Sequence, residues 1–238
     1  HLLPFCPKIF HIPISLLNNS NYTIRNSALT CLSAISLNLG SKHFADYAPD
    51  IINGILSLLD SLNVYVETAF TNGEYTGVED DKSLFDQNRK VRSKCIETLA
   101  YFAEALGRKK FLPYVQKTFE LIAIAQQTEL KCTSPQLEFI FEAFSKFCTI
   151  LEEDFGPYVG TIIHGVIAAA SAEDFAYRFE LDSSNNLSAQ DQAKVDELHR
   201  RGFTSLSLGI RGQGSHQVVL NASVIQDKIQ ALEMLGEF

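Results

Sequence analysis

Apolar residues along this chain recur at spacings of three and four, the periodicity of helices that each bury one face. Four runs carry the pattern most clearly. Ser20 to Leu39 places Ile24, Ala28, Cys31, Leu32, Ile35 and Leu39 on one stripe, and Asp86 to Leu106 does the same with Val91, Cys95, Leu99, Phe102 and Leu106. Pro135 to Leu151 carries Leu137, Ile140, Phe141, Phe144, Cys148 and Leu151, with its proline preset for a first helical turn. Asn221 to Phe238 carries Ile225, Ile229, Leu232 and Leu235. Ahead of each run lies a partner helix, at about Phe5–Leu17, Phe44–Leu62, Phe111–Gln127 and Tyr158–Ala170. The pattern predicts an all-α chain of eight helices in four hairpins, with no room for a sheet core.

The punctuation between helices repeats. Leu3-Pro4-Phe5-x-x-Lys8-x-Phe10 returns as Leu112-Pro113-Tyr114-x-x-Lys117-x-Phe119. A second phrase occurs as Phe44-x-x-Tyr47, Phe111-x-x-Tyr114 and Phe155-x-x-Tyr158, and Gly40 and Gly107 precede the first two, where glycine can take the left-handed conformation that closes a helix. The aromatic positions advance by 42, 67 and 44 residues. Two of these steps match the roughly 40–47-residue period of HEAT and armadillo repeats, and the longer one reads as a period plus an insertion. The expectation is therefore an α-solenoid of about four HEAT hairpins, over residues 1–40, 41–107, 108–155 and 156–238. Insertions are expected at about 63–85 and 171–219. The first is acidic and loop-like, with Glu67, Glu74, Glu79, Asp80 and Asp81. The second has a linker-like stretch at Ser183 to Asn186, a short polar helix capped through Ser188 and Asp191, and an alternating pair around Phe203–Leu208 and His216–Leu220 that predicts a small β-hairpin.

Composition narrows the function classes. Hydrophobic residues make up 46% and charged residues 20%, which supports a packed core rather than disorder. The longest apolar stretch, Ile162 to Ala170, is about half of what spans a bilayer. A net charge of −8 is a poor footprint for nucleic acid and suits basic partners. The five cysteines are not closely paired, and three of them (Cys31, Cys95, Cys148) fall on apolar stripes, which predicts small buried thiols. No Cys-x-x-Cys, His-x-x-x-His or Gly-x-Ser-x-Gly phrase occurs, so no metal, cofactor or catalytic role is predicted. The chain opens at His1 without a methionine and stops at Phe238 inside an apolar pattern, which reads as a piece of a longer chain.

Ile24-Arg25-x-x-Ala28 and Val91-Arg92-x-x-Cys95 resemble the start of the second helix of a HEAT repeat. The resemblance implies that Arg25 and Arg92 form a ladder with polar residues of a neighbouring turn, for which Asn19, Asn21, Asp86 and Asn88 are candidates. Three longer phrases resemble the middle of the beta-3 type of importin, in the importin-beta (karyopherin-beta) superfamily. They are Val91-Arg92-Ser93-Lys94-Cys95-Ile96-Glu97 with Gly107 to Phe111, Ser134-Pro135-Gln136-Leu137 with Phe147 to Leu151, and Phe203 to Ile210. That resemblance implies a nuclear transport receptor shuttling between cytoplasm and nucleus. It would bind cargo proteins inside a superhelix, release them to Ran in its GTP form, and touch phenylalanine-glycine repeats of the nuclear pore.

In such solenoids the second helices line the concave surface. Their polar stripes here are Glu97, Tyr101 and Glu104, then Glu138, Glu142, Ser145 and Thr149, then Gln230, Glu233 and Glu237, after an uncharged row of Asn26, Thr30 and Ser33. An acidic stripe beside a tyrosine suits basic signals, because carboxylates accept charge-assisted hydrogen bonds and the ring takes a cation over its face. The alternative class is a HEAT scaffold of another assembly: a phosphatase subunit, a tubulin-binding array or an arm of a large enzyme.

Overall fold

The computed structural model describes residues 5–75, 83–132, 136–173, 176–182, 186–210 and 214–237. Among them the solenoid helices are α1 (Cys6–Leu16), α2 (Tyr22–Phe44), α3 (Ala48–Thr71), α4 (Leu84–Leu106), α5 (Arg108–Glu129), α6 (Leu137–Leu151), α7 (Gly156–Ala170) and α9 (Ala222–Glu237). α2 packs on α4, α4 on α6 and α6 on α9, while α3, α5 and α7 form a layer behind them and α1 covers α2. The chain is an all-α HEAT-type solenoid carrying a small sheet. No helix among the described residues is long and apolar enough to cross a membrane.

Two layers share one continuous core, and the repeating aromatic phrases are its rivets. Phe10 meets Tyr47 at 5.1 Å between ring centroids, Phe44 meets Phe102 at 5.1 Å, and Phe111 meets Phe147 at 5.7 Å. Phe119 is stacked on Tyr158 at 4.5 Å and edge-on to Phe155 at 5.6 Å. A phrase that recurs three times along the chain thus takes part in a series of ring contacts along the stack, each contact adding to the area it buries.

The helix ends are set locally. Asn21 caps α2 by accepting the Thr23 N–H at 2.8 Å. Gly40 breaks α2 at φ 63°, ψ 175°, and Gly107 joins α4 to α5 at φ 76°, ψ 164°. Both φ values are positive, yet ψ is extended, so these are corners between helices in a region open only to glycine rather than left-handed helical caps. A Cβ at Gly107 would meet nothing within 4 Å. Gly107→Ala is therefore expected to cost about 1–3 kcal/mol through backbone strain alone, read as a lower urea midpoint; an unchanged midpoint would refute the assignment. The same corner puts Arg108, Lys109 and Lys110 at the start of α5, where the dipole disfavours cations. Arg108 is held by Asp154 and Glu152 at 2.6 and 2.7 Å, and Lys110 donates to the Ser41 carbonyl at 2.8 Å.

Four expectations need correction. The first insertion is expected from Asn63, but α3 runs on to Thr71, because Leu62, Val66 and Ala69 continue its buried face. Its acidic core, Glu79 to Asp81, lies outside the described residues, as do Pro135 and Ser183 to Asn185. The second insertion holds not a bare hairpin but a three-stranded antiparallel sheet of order β1-β3-β2, from β1 (Ala176–Glu180), β2 (Thr204–Ile210) and β3 (Gly214–Leu220). Tyr177 and Phe179 of β1 alternate with exposed Ala176, Arg178 and Glu180, but only Phe179 is fully buried and the run is only five residues long, too short to stand out beside the longer pair. The sheet and α8 (Ala189–Arg200), capped by Ser188, enclose their own small core of Phe179, Val195, Leu198, Phe203 and Val219.

The apolar stripe of α9 is turned relative to the expectation. Asp227, Ala231 and Met234 are buried, while Ile229 and Leu232 are 44% and 53% exposed. The broadest apolar arc of a solenoid helix need not face the hairpin it belongs to, since such helices are contacted on several sides. The thiols split likewise: Cys95 is buried, Cys148 half-buried and Cys31 exposed. Burial holds the Cys95 thiol up at about 12, against a smaller opposing effect of the Arg25 charge.

Candidate binding face and the polar ladder behind it

α2 and α4 are tied by Arg25, whose Nη2 donates to Asn88 Oδ1 at 3.1 Å. The next rung is larger. Arg92 reaches past the turn residues considered for it and donates to Glu129 Oε1 at 2.5 Å, with Asn63 Oδ1 a more distant partner at 3.4 Å. Arg89 grips the same carboxylate from Nε at 3.1 Å and Nη2 at 2.5 Å, and donates to Asp86 Oδ1 at 2.8 Å. The Gln136 N–H completes the set at 2.9 Å from Glu129 Oε2. Glu129 is 0% exposed and both arginines 1%. Burial alone would raise the Glu129 carboxyl; the charges of Arg89 and Arg92 and their hydrogen bonds overrule it and hold the group at about 2. α4, α5 and the start of α6 are thereby fixed to one another from behind the outward face of the second helices.

On that face the structure draws together Glu97, Tyr101 and Glu104 of α4 with Glu142 of α6. The Tyr101 hydroxyl is raised above its ordinary value first by burial, then by the charges of Glu97, Glu142 and Glu104. Lys94 is paired with Glu97. Lys146 of α6 lies with Nζ 4.9 Å from the Tyr101 ring centroid and 3.9 Å from Glu142 Oε1. The other stripe residues are placed differently. The Thr149 hydroxyl is turned back onto the Ser145 carbonyl at 3.1 Å, and Gln230 donates to Glu233 at 3.1 Å along α9. Ser33 is buried and donates to the Leu29 carbonyl at 3.1 Å. The Glu237 side chain lies outside the described residues.

A groove of about 670 Å³ crosses all four second helices, with Tyr22 and Asn26 from α2, Lys90 and Lys94 from α4, Glu138 and Phe139 from α6, and Asp227 from α9. The Glu138 carboxyl is raised by burial and then by Glu142. Asp227 is 3% exposed, and its Oδ2 has no partner. Burial drives its carboxyl up to about 8, against hydrogen bonds from the Leu137 and Glu138 backbone that stabilise the charged form. It therefore serves as a cap for α6 delivered from α9, since Gln136 caps α6 with no side-chain hydrogen bond of its own.

Sequence reasoning missed Glu129, Asp227 and Lys146. Glu129 carried one faint signal, a carboxylate in the last turn of a helix, where the dipole disfavours it unless a cation is supplied. Among the described residues no cluster of His, Cys, Asp and Glu is arranged to hold a metal ion.

No protein-family model matches the chain. It is 22% identical over 151 residues to importin subunit beta-3 of Saccharomyces cerevisiae, covering 63% of this chain and 12% of that protein. It is 26% identical over 180 residues to a probable importin-5 homolog of Dictyostelium discoideum, covering 72% and 14%. The chain thus spans well under a quarter of the length of these two relatives. Among solved structures, Kap121p bound to Pho4p superposes with a TM-score of 0.66 at 19% identity over 99% of this chain and 18% of that one. The same receptor bound to RanGTP superposes with a TM-score of 0.59, over 98% and 18%. The relatives are importin and karyopherin-beta proteins, in agreement with the superfamily resemblance read from Val91 to Glu97 and the two later phrases, and the fold is that of the Kap121p HEAT solenoid.

Proposed function

We propose that this chain is a segment of a nuclear transport receptor, and that the face formed by its second helices binds basic signals of cargo proteins. The observation that carries the reading is Tyr101 of α4 beside Glu142 of α6, bridged by Lys146 at 4.9 Å from the ring and 3.9 Å from the carboxylate, with Glu97 and Glu104 on the same stripe of α4. Carboxylates around a ring can hold a lysine or arginine by charge-assisted hydrogen bonds and over the ring face. Glu138, at the groove, extends the acidic track toward α9; Ser145, Thr149, Gln230, Glu233 and Glu237 form its polar margin. The hairpins over residues 1–40, 41–107, 108–155 and 156–238 act as one scaffold for it.

The relatives support the wider setting. A receptor of this kind works in cytoplasm and nucleus, yields its cargo when Ran in its GTP form binds, and passes the pore by contact with phenylalanine-glycine repeats. The last two contacts belong mostly to other parts of the protein. No catalysis is assigned to this segment.

Titration of the protein into a fluorescent lysine-rich peptide tests the reading. The peptide should bind, a charge-scrambled acidic control should not, and affinity should fall steeply with salt. Glu97→Lys with Glu142→Lys is expected to weaken binding by at least tenfold. Equal binding of basic and acidic peptides, or a double variant that binds like the parent, would sink it and leave the scaffold reading in its place.

A further inference from the structure

The acidic stripe already holds a cation, and that cation belongs to the chain itself. Lys146 lies one turn beyond Glu142 on α6 and reaches across to α4, with its Nζ 4.9 Å from the Tyr101 ring centroid. It also sits 3.9 Å from Glu142 Oε1. Its side chain is 29% exposed, so the ammonium rests between the two helices with an open path to water. Lys94 answers Glu97 in the same way from the other side. We propose that Lys146 is an intramolecular occupant of the cation site on Tyr101, and that it must swing away before a basic side chain of a partner can take the ring and Glu142. This inference rests on the basic-signal reading above and names the residue that sets its threshold.

The physical chemistry favours such a gate. A lysine has a compact charge on a flexible four-carbon stem, so it can leave the ring and be rehydrated without moving the backbone. What is lost is one cation–π contact and one loose ion pair, both modest. A partner offering a single lysine replaces like with like and gains little. A partner with several basic residues gains more, because its further charges also meet Glu104 and Glu138, which neither Lys146 nor Lys94 serves. Selection for multiply basic segments then comes from a built-in competitor rather than from a tighter pocket.

Lys146→Met keeps the stem and removes the charge. In low salt it is expected to bind a lysine-rich peptide about three- to tenfold more tightly than the parent. Lys109→Met, at an exposed lysine beginning α5, controls for the general loss of positive charge and should change affinity less than twofold. Tyr101→Leu should weaken binding more in the Lys146→Met background than in the parent, where the ring is already engaged. A readout without peptide is the rate of Lys146 acetylation in the free protein, followed by mass spectrometry: it should be slower than that of Lys109 and rise in Tyr101→Leu. If the peptide binds but Lys146→Met binds no tighter than Lys109→Met, the gate is overturned and the binding reading stands. If no basic peptide binds either protein, both fall.

Discussion

Glu129→Ala is expected to remove about 3–5 kcal/mol of folding stability, a large share of what holds a domain of this size together. The argument is one of charge left behind. Glu129 is the shared acceptor of Arg89, Arg92 and the Gln136 N–H, at distances of 2.5 to 3.1 Å. Without it, two guanidiniums that are each 1% exposed lose their shared acceptor: Arg89 still has Asp86, while Arg92 is left facing Asn63 at 3.4 Å. A buried unpaired charge costs far more than a buried pair contributes, so the truncation hurts even though the network as a whole adds little net stability. Glu129→Gln keeps the shape and loses the charge, and should fall between parent and alanine. The exposed pairing of Arg108 with Glu152 offers the contrast: breaking it should barely move the unfolding curve.

Acid should reveal the same residue. Its folded carboxyl titrates at about 2, below the ordinary 4.5 that stands for the unfolded chain. Its contribution is therefore complete above about pH 4.5 and drains away as pH falls toward 2. Urea unfolding followed by circular dichroism at several pH values measures both effects. A loss below about 1 kcal/mol in Glu129→Ala would show that the arginines find other partners.

Asp227→Asn is expected to do the reverse, stabilising the protein by an amount that grows as pH rises above about 4. The Asp227 carboxyl is driven up to about 8 from an ordinary 3.8, with burial the largest cause. A group whose folded value is raised contributes its full stability below the unfolded value and loses it as pH climbs through the folded one. Here the window runs from about pH 4 to about pH 8. Above it, folding confines a carboxylate whose Oδ2 has no partner. Asparagine fills the same space, still accepts the Leu137 and Glu138 N–H groups, is itself a good helix cap, and never ionises. The gain at pH 9 should be about 2–4 kcal/mol and should vanish near pH 4. Parallel pH profiles for parent and variant would mean that the carboxylate is stabilised where it lies.

These two residues show where sequence reasoning stopped. The helices, their pairing and the aromatic phrase were legible because each is a local regularity: a spacing of three and four, a glycine corner, a Phe-x-x-Tyr repeat. Val91-Arg92 likewise announced an inter-repeat arginine. Its acceptor was invisible, because Glu129 lies 37 residues away on another helix and looks like any polar residue of a helix end. Asp227 is one more polar position on α9 by sequence, since the broad apolar arc there runs through Ile229 and Leu232, which the fold leaves exposed. The acidic stripe itself was legible by angle along α4 and α6. That a lysine of the chain lies on its tyrosine was not.

What the sequence by itself determined is the solenoid: periodicity obliges each segment to be a helix with a buried face, and repeated punctuation obliges the helices to pair. Only the tertiary structure decided which polar groups are paid for by partners and which stand ready for one. Burial and charge pairing are properties of side chains that meet across helices, and the rotation of one helix against the next, which no local spacing records, selects which side chains those are.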